Sequence, residues 1–270
     1  MTRELNGREL QQFIKVRQLR QVRNLRQEHG IIPKLLIVMS KTASDVIAAY
    51  VRMKQRYARD ILIDVEVAAV EQRDMISIVQ QANDDVSIQG IIVQLPLDDP
   101  AGTSEICNAI APEKDVDGLG EHAIFPSATA QAIDWLLAGY GVDLAGKAIA
   151  IVGQGKLVGA PLAKLWGERG LNITIFDDQT PLRDMQRFDV IVTATGVPRL
   201  ITSDMVKPGA VVVDAGIASE HGKLIGDVDD SVRAMTHVTM TPKKGGVGPL
   251  TYTVLFDHLI ESCLKRADKL

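Results

Sequence analysis

Cysteine is scarce: in 270 residues only Cys107 and Cys263 occur, too few for a disulfide framework or a structural zinc site. Aromatic residues make up only 4% of the chain. No apolar run approaches the roughly 18 residues that span a bilayer, so no membrane association is expected. The opening residues MTRELNGREL contain no apolar segment of the kind a secretory signal needs. Neither sign of charge prevails, since 30 Lys and Arg face 34 Asp and Glu for a net charge of −4. That balance gives no general pull toward nucleic acid. Repeats and low-complexity tracts are lacking too. A reducing, cytoplasmic setting is expected.

What the sequence does have is alternation. Hydrophobic residues at 46% and charged residues at 24% are the proportions of an ordinary globular protein. β-branched runs at 34–38, 61–67, 90–95, 148–153, 172–177, 190–195 and 210–216 read as buried strands. Amphipathic stretches of helical length, such as 45–59 and 160–169, lie between most of them. Strand and helix in repetition predict an α/β protein with mostly parallel sheets. A polar, Gly-rich stretch at 117–122 suggests a domain boundary, and a last helix over 250–267 can pack back on the first half. The Arg-rich segment 14–30 carries an apolar stripe of Phe13, Ile14, Val16, Leu19, Val22 and Leu25. Its arginines therefore read as the solvated face of a helix rather than a nucleic-acid surface.

Two groups of residues carry chemistry. In IAIVGQGKLVGAP (149–161) a strand ends at Gly153, and Gly155 and Gly159 follow before a helix. Backbone N–H groups and the positive end of a helix dipole can hold a dinucleotide pyrophosphate at such a turn, where missing Cβ atoms allow close approach. The spacing is not a strict G-x-G-x-x-G, because Val158 occupies the third site, so a tight turn without ligand stays open on this motif alone. The next strand ends in Asp177 and Asp178, and Asp177 stands 24 residues after Gly153, about where a ribose-gripping acid belongs. In the first half, Tyr50 and Lys54 are one helical turn apart. Gln94 ends a buried strand, and Asp115 and Asp117 sit in a turn closed by Gly118. Each is bland alone. Together they offer one cleft an aromatic face, an ammonium group, an amide and a carboxylate.

The ordered set YVRMK, VQLPL, KDVDG, the glycine loop with VGAP, VVDAGI, GDV and TPKKGGVGPLT, running from about Pro33 to Thr253, resembles the bifunctional methylenetetrahydrofolate dehydrogenase/methenyltetrahydrofolate cyclohydrolases. The resemblance implies two α/β domains with a cleft between them, the C-terminal one of Rossmann type, and a homodimer. Residues 1–122 with 248–270 would form the folate-binding domain, and 123–247 the NAD(P)-binding domain. It further implies oxidation of 5,10-methylenetetrahydrofolate, with NADP the family's usual cofactor, and hydrolysis of the methenyl product to 10-formyltetrahydrofolate. By position, Lys54 would be the general acid/base, with Gln94 holding it and Tyr50 stacking on the folate and touching Lys54. Asp117 would grip the pterin N–H groups, and Gly246 and Pro249 would complete the folate contacts. Cofactor contacts would come from Gly153, Gln154, Gly155, Lys156, Val158 and Gly159. Further ones would come from Asp177, Asp178, Thr195, Gly196 and Ile217.

Departures from the family pattern are informative. Gly155 stands where the family commonly has serine, Ile47 replaces a serine three residues before the tyrosine, and PSATA (126–130) lacks a second proline. Lys243 and Lys244 replace an apolar pair, where they could attract a folate tail or a cofactor phosphate or simply be solvated. Asp177 replaces the usual basic residue, which leans the cofactor toward NAD. No metal is expected, because His122 and His237 lack ligand spacing. Two other readings remain: a Rossmann dehydrogenase of another small substrate, and a folate- or nucleotide-binding protein without catalysis. The ordered first-half set counts against the former and Lys54 against the latter.

Overall fold

The computed structural model describes residues 3–216, 218–220 and 223–267. Strand β1 (Arg3–Glu4) leads into the long helix α1 (Gly7–Glu28), followed by β2 (Lys34–Ser40), α2 (Asp45–Asp60), β3 (Asp64–Val70), α3 (Met75–Asp84), β4 (Gly90–Val93) and α4 (Thr103–Asn108). Helix α5 (Ala128–Gly139) precedes β5 (Ile149–Val152), α6 (Gly159–Glu168), β6 (Ile173–Phe176), β7 (Val190–Thr193) and β8 (Val211–Asp214). The hairpin of β9 (Ala218–Glu220) and β10 (Lys223–Ile225) comes next, then α7 (Asp230–Arg233), β11 (Thr239–Met240) and α8 (Val247–Ala267). Among the described residues no helix is long and apolar enough to cross a membrane.

The chain forms two compact units. One is built on Phe13–Ala128 with the chain from Tyr252 onward, the other on the N-terminal residues through Gln12 with Thr129–Thr251. The sequence reading divides the chain at 122/123 and 247/248. The units divide it a few residues later, and they assign the first residues to the other half. The reason is β1, which pairs in parallel with β11 and puts Arg3 opposite Thr239. Two polar residues carry no strand pattern, so nothing local announces this pairing.

In the first unit, β3, β2 and β4 form a three-stranded parallel sheet with β2 in the middle. Leu35–Val38 and all of β4 are buried, as expected for parallel strands covered on both faces. The edge strand β3 is more exposed, and its Glu66 pairs with Lys34 at 3.0 Å. It starts three residues later than the β-branched run suggests, because Ile61 closes α2 as its C-cap and Leu62 turns through a positive φ of 62°. Met75, Val79, Ile88, Ile91 and Ile106 pack with Leu36 and Val38 into the core.

The apolar stripe expected along α1 is only partly the buried one. Phe13 and Val16 are 70% and 64% exposed, whereas Gln18, Val22 and Leu25 are buried. The helix turns its polar Gln18 inward because every group of that amide finds a partner: Nε2 donates to Thr253 O at 2.8 Å and Asp257 Oδ1 at 3.1 Å, and Oε1 accepts from Tyr57 Oη at 2.7 Å. Buried amides of this kind are stable only when bonded.

The second unit holds a six-stranded sheet in the order β1-β11-β8-β7-β5-β6, parallel throughout. The chain runs from β5 to β6 on one side and then to β7 on the other. The direction of winding thus reverses beside β5, the switch point at which Rossmann-type sheets bind ligands. Val152, Phe176, Phe188, Ile191 and Val212 are among the residues of its core.

Gln18→Ala, which strips Tyr57 and the Thr253 carbonyl of a buried partner, should lower stability by about 1–3 kcal/mol. Val16→Ala should stay within about 0.5 kcal/mol. Urea unfolding of the two variants decides whether the polar or the apolar residue anchors α1.

Candidate active site

In the first unit, α2 starts at its N-cap Ser44, whose side chain accepts from the Ile47 N–H. The helix then presents Tyr50 and Lys54 one turn apart. Lys54 Nζ donates to Gln94 Oε1 at 2.7 Å. Gln94 follows β4, continues its ladder by donating its N–H to Val38 O at 2.8 Å, and donates Nε2 to Leu95 O at 3.1 Å. With the nitrogen of the amide engaged by a carbonyl, the oxygen is the end that faces Lys54. Burial holds the Lys54 ammonium below the ordinary lysine range, and the Asp117 carboxylate pulls it partly back up. Burial raises the Tyr50 hydroxyl.

Asp117 lies in a loop that Asp115 builds. The two Asp115 oxygens accept from Gly118 N at 2.9 Å and Gly120 N at 2.7 Å. Burial pushes its carboxyl up to about 6. Gly118 has φ +68°, and a Cβ there would lie 2.4 Å from Pro126 O, so only glycine fits. Burial also raises Asp117, against the pull of Lys54 and then His258. His258, on α8, is 2% exposed, donates Nδ1–H to Val116 O at 2.9 Å and stacks on Phe125 at 4.6 Å. Burial lowers its pKa, which favours the neutral ring. Sequence reading singled out His122 and His237 and missed His258, whose role depends on a residue 142 positions away. The part of Asp115 was legible in principle, since an Asp three residues before a glycine is a common turn signal.

In the second unit, Gly153 ends β5 at φ +102°. A Cβ on it would meet Ala194 O at 2.7 Å and Thr195 Cγ2 at 3.1 Å, and one on Gly159 would lie 1.8 Å from Gly153 O. These two glycines let the loop, the start of α6 and the turn after β7 touch. Gly155 has nothing within 4 Å of its Cβ position, and Gln154, Gly155 and Lys156 are exposed. An exposed loop running into a helix N-terminus fits a pyrophosphate. Val158 lies just before α6. Asp177 and Asp178 follow β6 and are exposed. Asp177 Oδ1 accepts from Thr180 Oγ1 at 2.6 Å and Gln179 N at 3.1 Å, bonds that hold its carboxyl below the usual carboxylate range. Thr195 and Gly196 form the turn after β7, Gly196 at φ +71°. Ile217 lies outside the described residues.

Gly246 and Pro249 also belong to this unit. Gly246 O would be only 1.9 Å from a Cβ on Gly7, and Pro249 O accepts from Gln11 Nε2 at 2.6 Å. Lys243 and Lys244 are exposed, and Lys243 pairs with Asp230 at 2.6 Å.

A half-buried lysine held by an amide, beside a carboxylate, is a candidate for proton transfer, and the glycine turn at the switch point is a candidate for nucleotide binding. Residues 5–117 match the tetrahydrofolate dehydrogenase/cyclohydrolase catalytic domain, and residues 127–267 match the NAD(P)-binding domain of the same family. The bifunctional protein FolD of Lacticaseibacillus casei is 38% identical over 99% of this chain and 100% of its own. The FolD methylenetetrahydrofolate dehydrogenase/cyclohydrolase structure from Campylobacter jejuni is 30% identical, with a TM-score of 0.90 over 98% of this chain and 100% of that one. The FolD of Trypanosoma brucei, solved with NADP and an inhibitor, is 27% identical with a TM-score of 0.89 over 100% and 99%. The chain belongs to the tetrahydrofolate dehydrogenase/cyclohydrolase family.

Asp115→Ala leaves the Gly118 and Gly120 N–H groups without an acceptor. Their amide hydrogen exchange should speed by about tenfold or more, corresponding to roughly 1–3 kcal/mol of lost local protection, while amides of β2 keep their rates. Unchanged exchange at both glycines would show that Asp115 does not hold the loop.

Proposed function

We propose that this protein oxidises 5,10-methylenetetrahydrofolate with a nicotinamide dinucleotide and hydrolyses the methenyl product to 10-formyltetrahydrofolate, serving one-carbon metabolism. The observation that carries this reading is the half-buried Lys54 ammonium bonded to Gln94 beside Asp117. It lies in the part of the chain that matches the family's catalytic domain.

Asp117, as a carboxylate, accepts hydrogen bonds from the pterin amino and ring N–H groups, a charge-assisted and directional grip. Tyr50 offers its ring to the folate. When bound, the nicotinamide supplies the hydride acceptor, and the protein's part in that step is to hold the methylene carbon in place. For hydrolysis, water adds to the cationic methenyl carbon and loses a proton to the neutral Lys54 amine. The resulting ammonium returns a proton to N5 as the carbon–N5 bond breaks and the adduct's hydroxyl proton leaves to solvent. The formyl group stays on N10. A lysine of ordinary pKa would rarely be neutral near pH 7, whereas burial moves Lys54 toward a working base. Gly153, Gly155, Gly159 and Thr195 would border the dinucleotide. We take the working form to be a cytoplasmic homodimer, which sedimentation and fractionation test.

Lys54→Gln should abolish cyclohydrolase turnover while leaving dinucleotide binding within about twofold of wild type. In wild type, hydrolytic kcat/KM should rise with pH through an inflection below the ordinary lysine value, because the deprotonated amine is the active form. A variant that hydrolyses methenyltetrahydrofolate at the wild-type rate would remove Lys54 from the mechanism.

Cofactor choice rests on Asp177. Its carboxylate, held ionised by Thr180, is able to accept from both ribose hydroxyls of NAD, whereas the 2′-phosphate of NADP meets like charge. Two such charges about 5 Å apart at an effective dielectric near 20 repel by roughly 3 kcal/mol, about two decades in affinity. NAD should therefore serve at least as well as NADP, and Asp177→Ser with Asp178→Arg should shift preference toward NADP. A wild-type kcat/KM clearly higher with NADP would overturn this.

A further inference from the structure

The motifs VVDAG and GDV have no part in the chemistry described so far, yet they meet at the end of the sheet where the glycine turn lies. Asp214 closes β8, and Asp227 follows the hairpin. Asp214 Oδ1 accepts from Asp227 N at 3.0 Å and Gly216 N at 3.3 Å, and its Oδ2 accepts from Val228 N at 3.2 Å. The two segments interlock through their glycines. A Cβ on Gly226 would lie 2.1 Å from Asp214 Oδ2, and one on Gly216 would lie 1.9 Å from Asp227 Oδ1. Arg233 tempers the negative charge, its Nη2 standing 3.5 Å from Asp214 Oδ2 while its Nη1 donates to Thr241 O at 2.9 Å.

Asp227 itself is 0% exposed. Its Oδ2 accepts three hydrogen bonds, from Thr193 Oγ1 at 2.7 Å, Thr195 N at 2.7 Å and Thr195 Oγ1 at 2.8 Å. Thr195 Oγ1 in turn accepts from Val197 N at 3.0 Å. The turn fixed this way is the surface on which Gly153 rests, since any Cβ on Gly153 would strike Ala194 and Thr195. Its other oxygen, Oδ1, has no partner among the described residues and abuts Gly216. A buried carboxylate with one oxygen unsatisfied is costly in a fold, and the compensating return lies in the three bonds at Oδ2.

We propose that Asp227 is a positioning residue of the dinucleotide site, fixing the Thr193–Val197 turn against Gly153 so that the cradle is formed before the cofactor arrives. This rests on the functional reading above.

The test uses the full-length protein, with Asp227→Asn and Asp227→Ala. NADH and NADPH binding are followed by fluorescence titration, together with cofactor KM and cyclohydrolase kcat/KM. Asparagine can keep an oxygen at the Oδ2 position but loses the charge, so a weakening of about tenfold is expected. Alanine should weaken binding further, the asparagine variant acting as partial rescue. Cyclohydrolase turnover, whose proposed general base Lys54 lies in the other unit, should stay within twofold in Asp227→Asn. Gly216→Ala, which drives a methyl group into Oδ1, should weaken cofactor binding in the same direction. Wild-type dinucleotide affinity in Asp227→Asn overturns the proposal, as does an equal fall of both activities, which marks a general structural role. A wild-type protein that binds neither dinucleotide would overturn the functional reading itself.

Discussion

Irregular backbone near the ends of parallel strands must find acceptors for its N–H groups, and both units meet that need with a buried aspartate. The constraint is severe. Removing a carboxylate from water costs several kcal/mol unless donors replace the lost hydration, and an unpaired buried N–H costs energy in its own right. Asp115 solves both problems at once for the Asp117 loop, through Gly118 N and Gly120 N. Asp214 and Asp227 do the same for the segments around Thr195. In each case glycines stand where a Cβ would collide with the carboxylate or a carbonyl. Acid and glycine thus work as pairs, and neither makes sense without the other.

The same economy suits the proposed use of a lysine rather than a residue that titrates near neutrality unaided. Two effects act on Lys54 in opposite senses, burial lowering its pKa and Asp117 raising it, and burial is the larger. The amide of Gln94 adds an acceptor without adding a full negative charge, so it orients the amine while leaving the proton removable. A carboxylate in its place would hold the ammonium charged. Because Asp115 carries the structural bonds of the loop, Asp117 is left to take the substrate-binding part proposed for it.

Much of this was legible in the chain. β-branched runs located β2, β4, β5, β6, β7 and β8 to within a few residues, because buried parallel strands are apolar on both faces. The glycine turn and the spacing of Tyr50 and Lys54 are local patterns with local causes. What escaped were features set by distant partners. Strand β1 exists only because Thr239 and Met240 offer it an edge. The inward turn of Gln18 depends on Tyr57, Thr253 and Asp257, and the place of His258 depends on Val116 and Phe125. Periodicity mistook Phe13 and Val16 for core, because it counts hydrophobic residues without knowing which polar ones find partners. The Asp227 bonds to Thr193 and Thr195 were beyond reach for the same reason, spanning 32 to 34 residues.

The residues of the two candidate sites divide by their steric freedom. Gly153, Gly159 and Gly118 each face backbone atoms closer than a side chain could tolerate, so the geometry leaves no alternative there. Gly155 faces open space, and Asp177, Asp178, Lys243 and Lys244 are exposed. Substitution at such places disturbs no packing and costs the fold little. It changes instead the charge and shape that an arriving ligand meets, where a single carboxylate can outweigh many neutral contacts. On the proposed reading, the residues that fix the cradle and those that choose its occupant are therefore different. The first kind is bound by collision with the backbone, whereas the second is exposed and meets the protein only through surface bonds such as those of Asp177 with Thr180 and of Lys243 with Asp230.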